Sequence, residues 1–241
     1  MYQLIFFLKY YILYFLILLA LIEKHGIYES LKKLNGMFAL AIWDIKTKKL
    51  YLARDHLGEK PLYYGWQGKG ENKVFLFASE LKALKAHPEF NNMIYRDAMT
   101  LQLRHNCIPA PYSIYKNIFK LLPGHYLEMK QSDLKNKLLP SANKYWSLID
   151  KAIYGNNNQL ILNDFNIQRD LEGILKNSVK KQMLSDVPLG AFLSGGIDSS
   201  TIVALMQSQS STPIKTFTIG FSESDYSEAE NAKKIANHLG T

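Results

Sequence analysis

The sequence contains a single cysteine, Cys107, among its 241 residues. One thiol cannot form a disulfide within the chain, so a small secreted domain held together by disulfides is excluded. A zinc site built on cysteine is excluded as well, because such sites need two or more thiolate ligands. The six histidines show no metal-ligand spacing, and we expect them to occupy ordinary surface or core positions.

Acidic side chains are outnumbered: 21 Asp and Glu stand against 29 Lys and Arg, which gives a net charge of +8. With 47% apolar and 21% charged residues, the composition is that of a globular protein and excludes collagen-like or wholly disordered classes. A basic chain is compatible with nucleic-acid binding, but the lysines are scattered and no nucleic-acid-binding module is recognisable. We therefore expect a solvated basic surface and no nucleic-acid partner.

Charge is nearly absent from residues 1–22, a long apolar run in which Lys9 is the only charged side chain. This length and apolar content are typical of a membrane span, whereas no small-residue cleavage site marks a signal peptide. Three interpretations stay open: an N-terminal membrane anchor, a buried helix, or the product of a wrong start or shifted reading frame. The third, which applies to residues 1–17, is the one that the rest of the sequence favours.

Beyond residue 17 the pattern is that of mixed α/β structure. A short apolar run and a second one after a Lys-Thr-Lys turn predict a hairpin over residues 37–54. Further strands are predicted at 74–78 and 125–129, with Ser79 capping a helix to about residue 86 and an irregular stretch over 88–117. Residues 131–166 are polar and predict a linker. From residue 167 onward the order is helix, strand, helix, strand, helix, which predicts the start of a parallel sheet.

The strongest local signal lies where the apolar strand 189–193 runs into the loop Ser194-Gly-Gly-Ile-Asp198 and then into a helix. Glycines allow the backbone to approach an anion closely, and a helix N-terminus presents unpaired N–H groups. Ser194 and Ser199 add hydroxyl groups, and Asp198 could help to hold Mg²⁺ on phosphate oxygens. The pattern predicts a phosphate-binding loop, although it is neither a Walker A loop nor a dinucleotide fingerprint.

This loop resembles the pyrophosphate loop of ATP pyrophosphatases, the enzymes that adenylylate a substrate and release pyrophosphate. Upstream, the chain has Leu34-Asn-Gly-Met-Phe, Arg54-Asp-His-Leu-Gly-Glu-Lys-Pro-Leu-Tyr-Tyr64, Phe77-Ala-Ser-Glu-Leu-Lys, Leu122-Pro-Gly-His-Tyr126 and Tyr145-Trp146. In this order, and with Ser185-Asp-Val-Pro-Leu-Gly190 before the loop, residues 18–241 resemble the glutamine-hydrolysing asparagine synthetases. β-Lactam synthetases share parts of this architecture and are the runner-up.

The resemblance implies a cytoplasmic amide ligase with two domains. An Ntn-hydrolase-type α/β sandwich would free ammonia from glutamine. A Rossmann-like ATP-pyrophosphatase domain would use ATP and Mg²⁺ to convert aspartate into β-aspartyl-AMP, which ammonia then attacks. The implied pyrophosphate ligands are Ser194, Gly195, Gly196, Asp198 and Ser199, with Asp198 also the tentative Mg²⁺ contact through pyrophosphate. Leu193 and Ile219, at the ends of two strands, would line the nucleotide pocket.

The resemblance also has gaps. The family's glutaminase nucleophile is a cysteine directly after the initiator Met, activated by its own α-amino group, and here Tyr2 stands in that place. Cys107, in a loop near His105, is expected to be a spare thiol and not a replacement, so no catalytic residue is assigned. We expect no glutaminase activity and at most weak ATP binding from these residues.

The predicted organisation is therefore an apolar segment of doubtful origin (1–17), the back of an amidotransferase domain (18–130), a linker (131–166) and the front of an asparagine synthetase domain (167–241). The chain is interpreted as a fragment of that enzyme, cut at both ends. Two alternatives stay open: a degenerate, membrane-anchored amidotransferase remnant with a binding role, and a related amidotransferase that acts on another carboxylic acid. A membrane partner is expected only if residues 1–22 are genuine, and a homodimer is one assembly open to the chain.

Overall fold

The computed structural model of the protein describes residues 2–4, 12–161, 163–185, 187–221 and 227–241, with the side chains of 2–4 and 12–14 left out of the description. The chain divides into two compact units, residues 1–158 and residues 159–241. Much of the apolar segment 1–17, namely residues 1 and 5–11, lies outside the described residues. Within the described ranges, no helix combines the length and the apolar character that crossing a membrane requires.

In its described residues, the first unit contains two sheets and five helical elements, the first of which is kinked. Its elements in chain order are β1 (Tyr2–Leu4), α1 (Ile12–Lys33), β2 (Ala39–Asp44), β3 (Lys49–Arg54), β4 (Tyr63–Gln67), a 3₁₀ turn (Gly70–Asn72), β5 (Val74–Ala78), α2 (Leu81–Lys85), α3 (Arg96–His105), β6 (Phe119–Lys120), β7 (His125–Met129), α4 (Gln131–Asn136), β8 (Asn143–Lys144) and α5 (Leu148–Asn157). One sheet has the strand order β1-β2-β3-β7-β8 and the other the order β5-β4-β6. All their strand pairs are antiparallel.

The predicted hairpin is confirmed: β2 and β3 pair antiparallel from Ala39 opposite Arg54 to Asp44 opposite Lys49. Asp44 shapes its turn. One carboxylate oxygen accepts hydrogen bonds from the backbone N–H groups of Lys46 (2.9 Å) and Thr47 (3.3 Å), and the other accepts one from the Thr47 hydroxyl (2.6 Å). These bonds lower the pKa of the Asp44 carboxyl against the opposing effect of burial, so the turn is held by a charged acceptor.

The first unit consists of three layers, because β2 and β3 bury both of their faces. Alternate residues of β2 and β3 face the second sheet: Ala39, Ala41, Leu50 and Leu52 pack with Tyr64 and Trp66 of β4. The intervening residues face helix α1; they include Leu40, Ile42, Tyr51 and Ala53, which pack with Leu18, Ile22 and Leu31. A helix therefore covers one side of the larger sheet and a second sheet covers the other, which is the expected α/β sandwich.

Three expectations for this unit need correction. The stretch 88–117 is not wholly irregular, since α3 lies within it. The helix after β5 is capped at Glu80 and not at Ser79, and Glu80 makes no side-chain capping bond. The predicted linker 131–166 holds α4, β8 and α5, and its first half packs on the first unit: β8 pairs with β7, and Tyr145 is buried. A few contacts therefore join this stretch to the first unit although its composition is polar.

The second unit begins with α6 (Asp164–Gln182) and continues with β9 (Gly190–Phe192), α7 (Ile197–Gln207), β10 (Lys215–Phe217) and α8 (Ala229–Leu239). Strands β9 and β10 are parallel, with Gly190 opposite Lys215 and Phe192 opposite Phe217. This is the predicted β-α-β-α order. Helices α6 and α7 bury Val179, Leu205 and Met206, while Leu193, Val203 and Ala232 form a second small cluster.

Candidate functional site

The loop after β9 is the point in the second unit where polar groups gather. Backbone pairing continues one residue past the strand, because the Leu193 N–H donates to the Phe217 carbonyl (2.9 Å). The chain then leaves the sheet through Ser194, Gly195 and Gly196 and enters α7 at Ile197. Strand, short loop and helix thus follow one another directly, which is the arrangement that presents helical N–H groups to an anion.

Two serine hydroxyls face each other across this loop. The Ser194 and Ser199 hydroxyl oxygens are 2.9 Å apart. Ser199 also accepts a bond from the Ser194 backbone N–H (3.3 Å) and donates one to the Gly196 carbonyl (3.2 Å). Both groups are hydrogen-bonded within the loop itself and lie at its exposed side, so they can exchange these bonds for bonds to a ligand.

Glycine stands at positions 195 and 196 of the loop for two different structural reasons. Gly195 has φ +86°, a conformation that other residues adopt rarely. A Cβ atom at Gly195 would also lie 3.1 Å from the Asn231 Cβ and 3.2 Å from the Ala232 nitrogen. Gly196 is the N-cap of α7 and makes no side-chain capping bond, while Asp198 lies in the first turn of the helix. The start of α7 therefore offers backbone donors that no capping side chain covers.

The structure brings Ser194, Gly195, Gly196, Asp198 and Ser199 together, as adjacency in sequence requires. Ile219 lies just past β10 and is 70% exposed, at the same end of the two-stranded sheet. The Leu193 expectation is corrected in part: its side chain is 1% exposed and packs with Val203 and Ala232, so only its backbone faces the loop. Leu193 supports the loop from below instead of lining a pocket with its side chain.

Thr218 contributes to the site and was not singled out from the sequence. Its hydroxyl donates to the Leu193 carbonyl (2.6 Å), which ties the ends of β9 and β10 together. A threonine just past the end of a strand gives no local signal for such a bond, because its partner, Leu193, follows the neighbouring strand. The same holds for Asn231, whose contact with Gly195 depends on how α8 packs.

The metal expectation rests on Asp198 alone. Among the described residues, no group of three or more His, Cys, Asp or Glu side chains is placed to hold a metal ion. The carboxylate of Asp198 is exposed at the start of α7. It could therefore reach a cation only together with oxygen atoms that a ligand supplies.

A second polar cluster lies in the first unit, in the segment Arg54–Tyr64. Asp55 is fully buried, and its carboxylate accepts hydrogen bonds from the backbone N–H groups of Glu59 (2.9 Å), Lys60 (2.9 Å) and Phe38 (3.3 Å). The Arg54 guanidinium donates to the carbonyls of Lys60 (2.8 Å), Leu121 (2.7 Å) and Gly58 (2.5 Å). Arg54 and Asp55 thus use their charged groups to bind backbone atoms, and these bonds hold the loop closed.

His56 lies beside this closed loop, stacked on Trp146 with ring centroids 4.8 Å apart and tilted against Tyr145 at 5.6 Å. The Tyr145 hydroxyl donates to the Arg54 carbonyl (2.6 Å). Burial lowers the pKa of His56, with the nearby Asp55 opposing the shift, and raises the pKa of Tyr145. The imidazole Nε2 is buried and has no hydrogen-bond partner among the described residues. Both aromatic residues of the Tyr-Trp motif therefore serve to fasten the loop.

Cys107 follows the C-terminal end of α3 and carries an exposed free thiol. The structure gives it no bond to His105. Its neighbour in space is Lys120, whose ammonium group donates to the carbonyl of Ile108. Among the described residues around it, no base is placed to activate the Cys107 thiol as a nucleophile.

Comparison with known proteins places both units in families. Residues 16–146 match the family of glutamine amidotransferase domains, and residues 170–241 match the asparagine synthase family. Among relatives, an asparagine synthetase [glutamine-hydrolyzing] of Bacillus subtilis is 32% identical over 203 residues, covering 82% of this chain and 30% of the relative. The human asparagine synthetase [glutamine-hydrolyzing] is 31% identical over 238 residues, covering 93% and 37%.

A protein of Methanocaldococcus jannaschii that also carries an asparagine synthetase name is 39% identical over 231 residues, covering 93% of this chain and 41% of the relative. The chain thus spans well under half the length of these relatives. Its first unit is an amidotransferase domain of α/β sandwich type, and its second unit has the order of elements of the asparagine synthase family. The chain belongs to the family of glutamine amidotransferase domains, whose match spans more than half of it, and its second unit matches part of the asparagine synthase family.

Proposed function

We propose that this chain forms part of an ATP-dependent amide ligase that converts aspartate into asparagine with ammonia from glutamine. The observation that carries the proposal is the loop from Ser194 to Ser199, set between a parallel strand and a helix N-terminus. The succession of an amidotransferase unit and an asparagine synthase unit in one chain supports the use of glutamine as the ammonia donor.

In this proposal the loop binds the pyrophosphate part of ATP. Backbone N–H groups at the start of α7 and the hydroxyls of Ser194 and Ser199 donate to phosphate oxygens, and Gly195 keeps the loop free of a side chain that would collide with α8. When bound, ATP supplies the adenylyl group that makes a carboxylate reactive. Asp198 would share a Mg²⁺ ion with those phosphate oxygens, and Ile219 would contact the nucleoside.

We also propose a revised division of the chain. The amidotransferase part extends to Trp146 and not to residue 130, because β8, Tyr145 and Trp146 complete the first unit. The connection to the ligase part then narrows to residues 147–166, and the ligase part begins near residue 167. A cytoplasmic location and a homodimer complete the proposal by analogy with the family alone.

Another carboxylic acid in place of aspartate is the second candidate. The relatives' names, which specify asparagine, favour aspartate. No feature of the described residues favours a different acid.

The loop can be tested on the whole chain with inorganic pyrophosphate as the probe. Titration of the ¹⁵N-labelled protein with millimolar pyrophosphate, with and without Mg²⁺, should shift the amide signals of residues 194–199. Ser194→Ala and Ser199→Ala should each weaken the affinity about tenfold, because each removes a hydrogen bond to a charged oxygen. The dissociation constant from the titration is the measurement.

Ser200→Ala is the matched control. The Ser200 hydroxyl donates to the Gly196 carbonyl (2.7 Å), one residue further along the same helix, so its removal should leave the affinity unchanged. Pyrophosphate that shifts signals all over the surface, or binds the three variants equally well, would contradict the assignment of the loop.

A further inference from the structure

The first turn of helix α8 lies directly against the proposed phosphate loop. The space next to Gly195 is bounded by Asn231 and Ala232, at 3.1 Å and 3.2 Å from where a Cβ would stand. Ala232 is 2% exposed and packs with Leu193 and Val203, the residues beneath the loop. This packing fixes which side of α8 faces the sheet, and it leaves Asn231, the preceding residue, beside the loop and exposed.

The residue at this place has a side chain suited to an anion. An asparagine carboxamide carries two N–H donors and no charge, so it can donate to a phosphate oxygen without competing for a cation. Its neighbours on α8 are charged: Glu230 precedes it, and Lys233 and Lys234 follow Ala232. At the start of α8, the side chain of the N-cap residue Glu228 makes no capping bond.

We propose that Asn231 is a further ligand of the pyrophosphate group, reaching the anion from the side of the loop opposite α7. This inference rests on the proposed function of the loop. It makes the site a cleft between the first turns of two helices, α7 and α8, in which Gly195 is the floor. The ligand class is the pyrophosphate part of a nucleoside triphosphate, for which inorganic pyrophosphate is the probe.

The test compares Asn231→Ala with Asn237→Ala in the whole chain. Both asparagines are exposed on α8, and Asn237 lies about 9 Å further along the helix axis, given a rise of about 1.5 Å per residue. Alanine favours helix formation at both positions, so both variants should fold. We expect Asn231→Ala to weaken pyrophosphate binding about tenfold and Asn237→Ala to leave it within about twofold.

A second pair, Asn231→Asp and Asn237→Asp, adds one negative charge at each place. Asn231→Asp should weaken binding more than Asn231→Ala does, because the new charge would face the anion, while Asn237→Asp should have a small effect. Equal affinities of the unchanged chain and Asn231→Ala would overturn the inference and leave the loop assignment intact. Absence of pyrophosphate binding by the unchanged chain would overturn both. Weaker binding by Ser194→Ala and Ser199→Ala, together with unchanged binding by Asn231→Ala, would overturn the inference about Asn231 alone.

Discussion

His56 lies in a recognisable sequence motif, but its role in stability follows from its buried surroundings and not from the motif. Its ring lies between Tyr145 and Trp146, next to the buried carboxylate of Asp55, and its Nε2 atom is buried without a partner. The uncharged imidazole fits this place, since protonation would put a charged N–H group where nothing accepts it. Asp55 favours the proton, and the burial that opposes it is the larger effect.

The pKa of His56 is therefore lower in the folded chain than its ordinary value near 6.5. As the pH falls through that value, the unfolded chain takes up the proton first, so the free energy of unfolding decreases. We expect the melting temperature of the first unit to fall between pH 7 and pH 5.5, and to fall less in His56→Phe, which keeps a stacked ring but cannot titrate.

The same exchange at His25 provides the control, because His25 is exposed on α1. His25→Phe should show the pH dependence of the unchanged protein. If His56→Phe and the unchanged protein lose the same stability on acidification, His56 does not contribute to the pH dependence.

At the scale of single residues, the sequence allowed the loop from Ser194 to Ser199 to be predicted because its members are adjacent. The roles of Asp55 and Tyr145 were not predictable. Asp55 binds backbone groups on both sides of a closed loop, and Tyr145 reaches the Arg54 carbonyl from 91 residues away in sequence. Contacts of this kind leave no periodicity or spacing that a sequence reader could use.

Helix α1 is the element in which sequence and structure agree in an instructive way. The sequence predicts a helix end at His25-Gly26 and a new helix from Tyr28. In the structure, Ile12–Lys33 consists of two helical stretches that meet at a kink, where Gly26 is non-helical with φ 75° and ψ 168°. The Gly26 carbonyl accepts a bond from the Ser30 hydroxyl (2.6 Å), and Ser30 is fully buried. The bend lets Leu18 and Ile22 on one side and Leu31 on the other reach the same sheet.

Gly26→Ala should destabilise the first unit by at least about 1 kcal/mol, since this backbone conformation is essentially restricted to glycine. A Cβ there would meet no atom within 4 Å, so backbone strain alone would account for the loss. Chemical unfolding followed by circular dichroism measures the effect. Gly155→Ala, in α5 and equally free of neighbours, should be neutral or slightly stabilising, because helix formation favours alanine there. Equal effects of the two substitutions would contradict the role given to Gly26.

The elements that were predicted best are those whose pattern is local. Strands β5 and β7 begin and end at the residues predicted, 74–78 and 125–129. Helix α3, Arg96–His105, was missed within the stretch expected to be irregular; it buries Ala98.

At the scale of the whole molecule, the division into two units depends on a short connection. Helix α5 ends at Asn157 and α6 begins at Asp164, and between them Leu160 and Ile161 are 78% and 100% exposed. Both residues lie outside helix and strand. Within the linker 131–166 expected from composition, β8 pairs with β7 and Tyr145 is buried, so the residues up to Trp146 pack on the first unit.

Thermolysin, which cleaves before large apolar residues, should therefore cut the native chain at Leu160 or Ile161 before it cuts at Leu103. Leu103 is the matched control: it is 83% exposed, as accessible as Leu160, but lies within α3. A protease binds its substrate as extended backbone, so cleavage at Leu103 requires α3 to unfold locally, whereas the connection needs no unfolding. Mass spectrometry of the early products should thus show fragments that end near residue 160 and start just after it. Early cleavage at Leu103 instead would mean that side-chain exposure decides, and that residues 158–161 are not the boundary between two separately folded units.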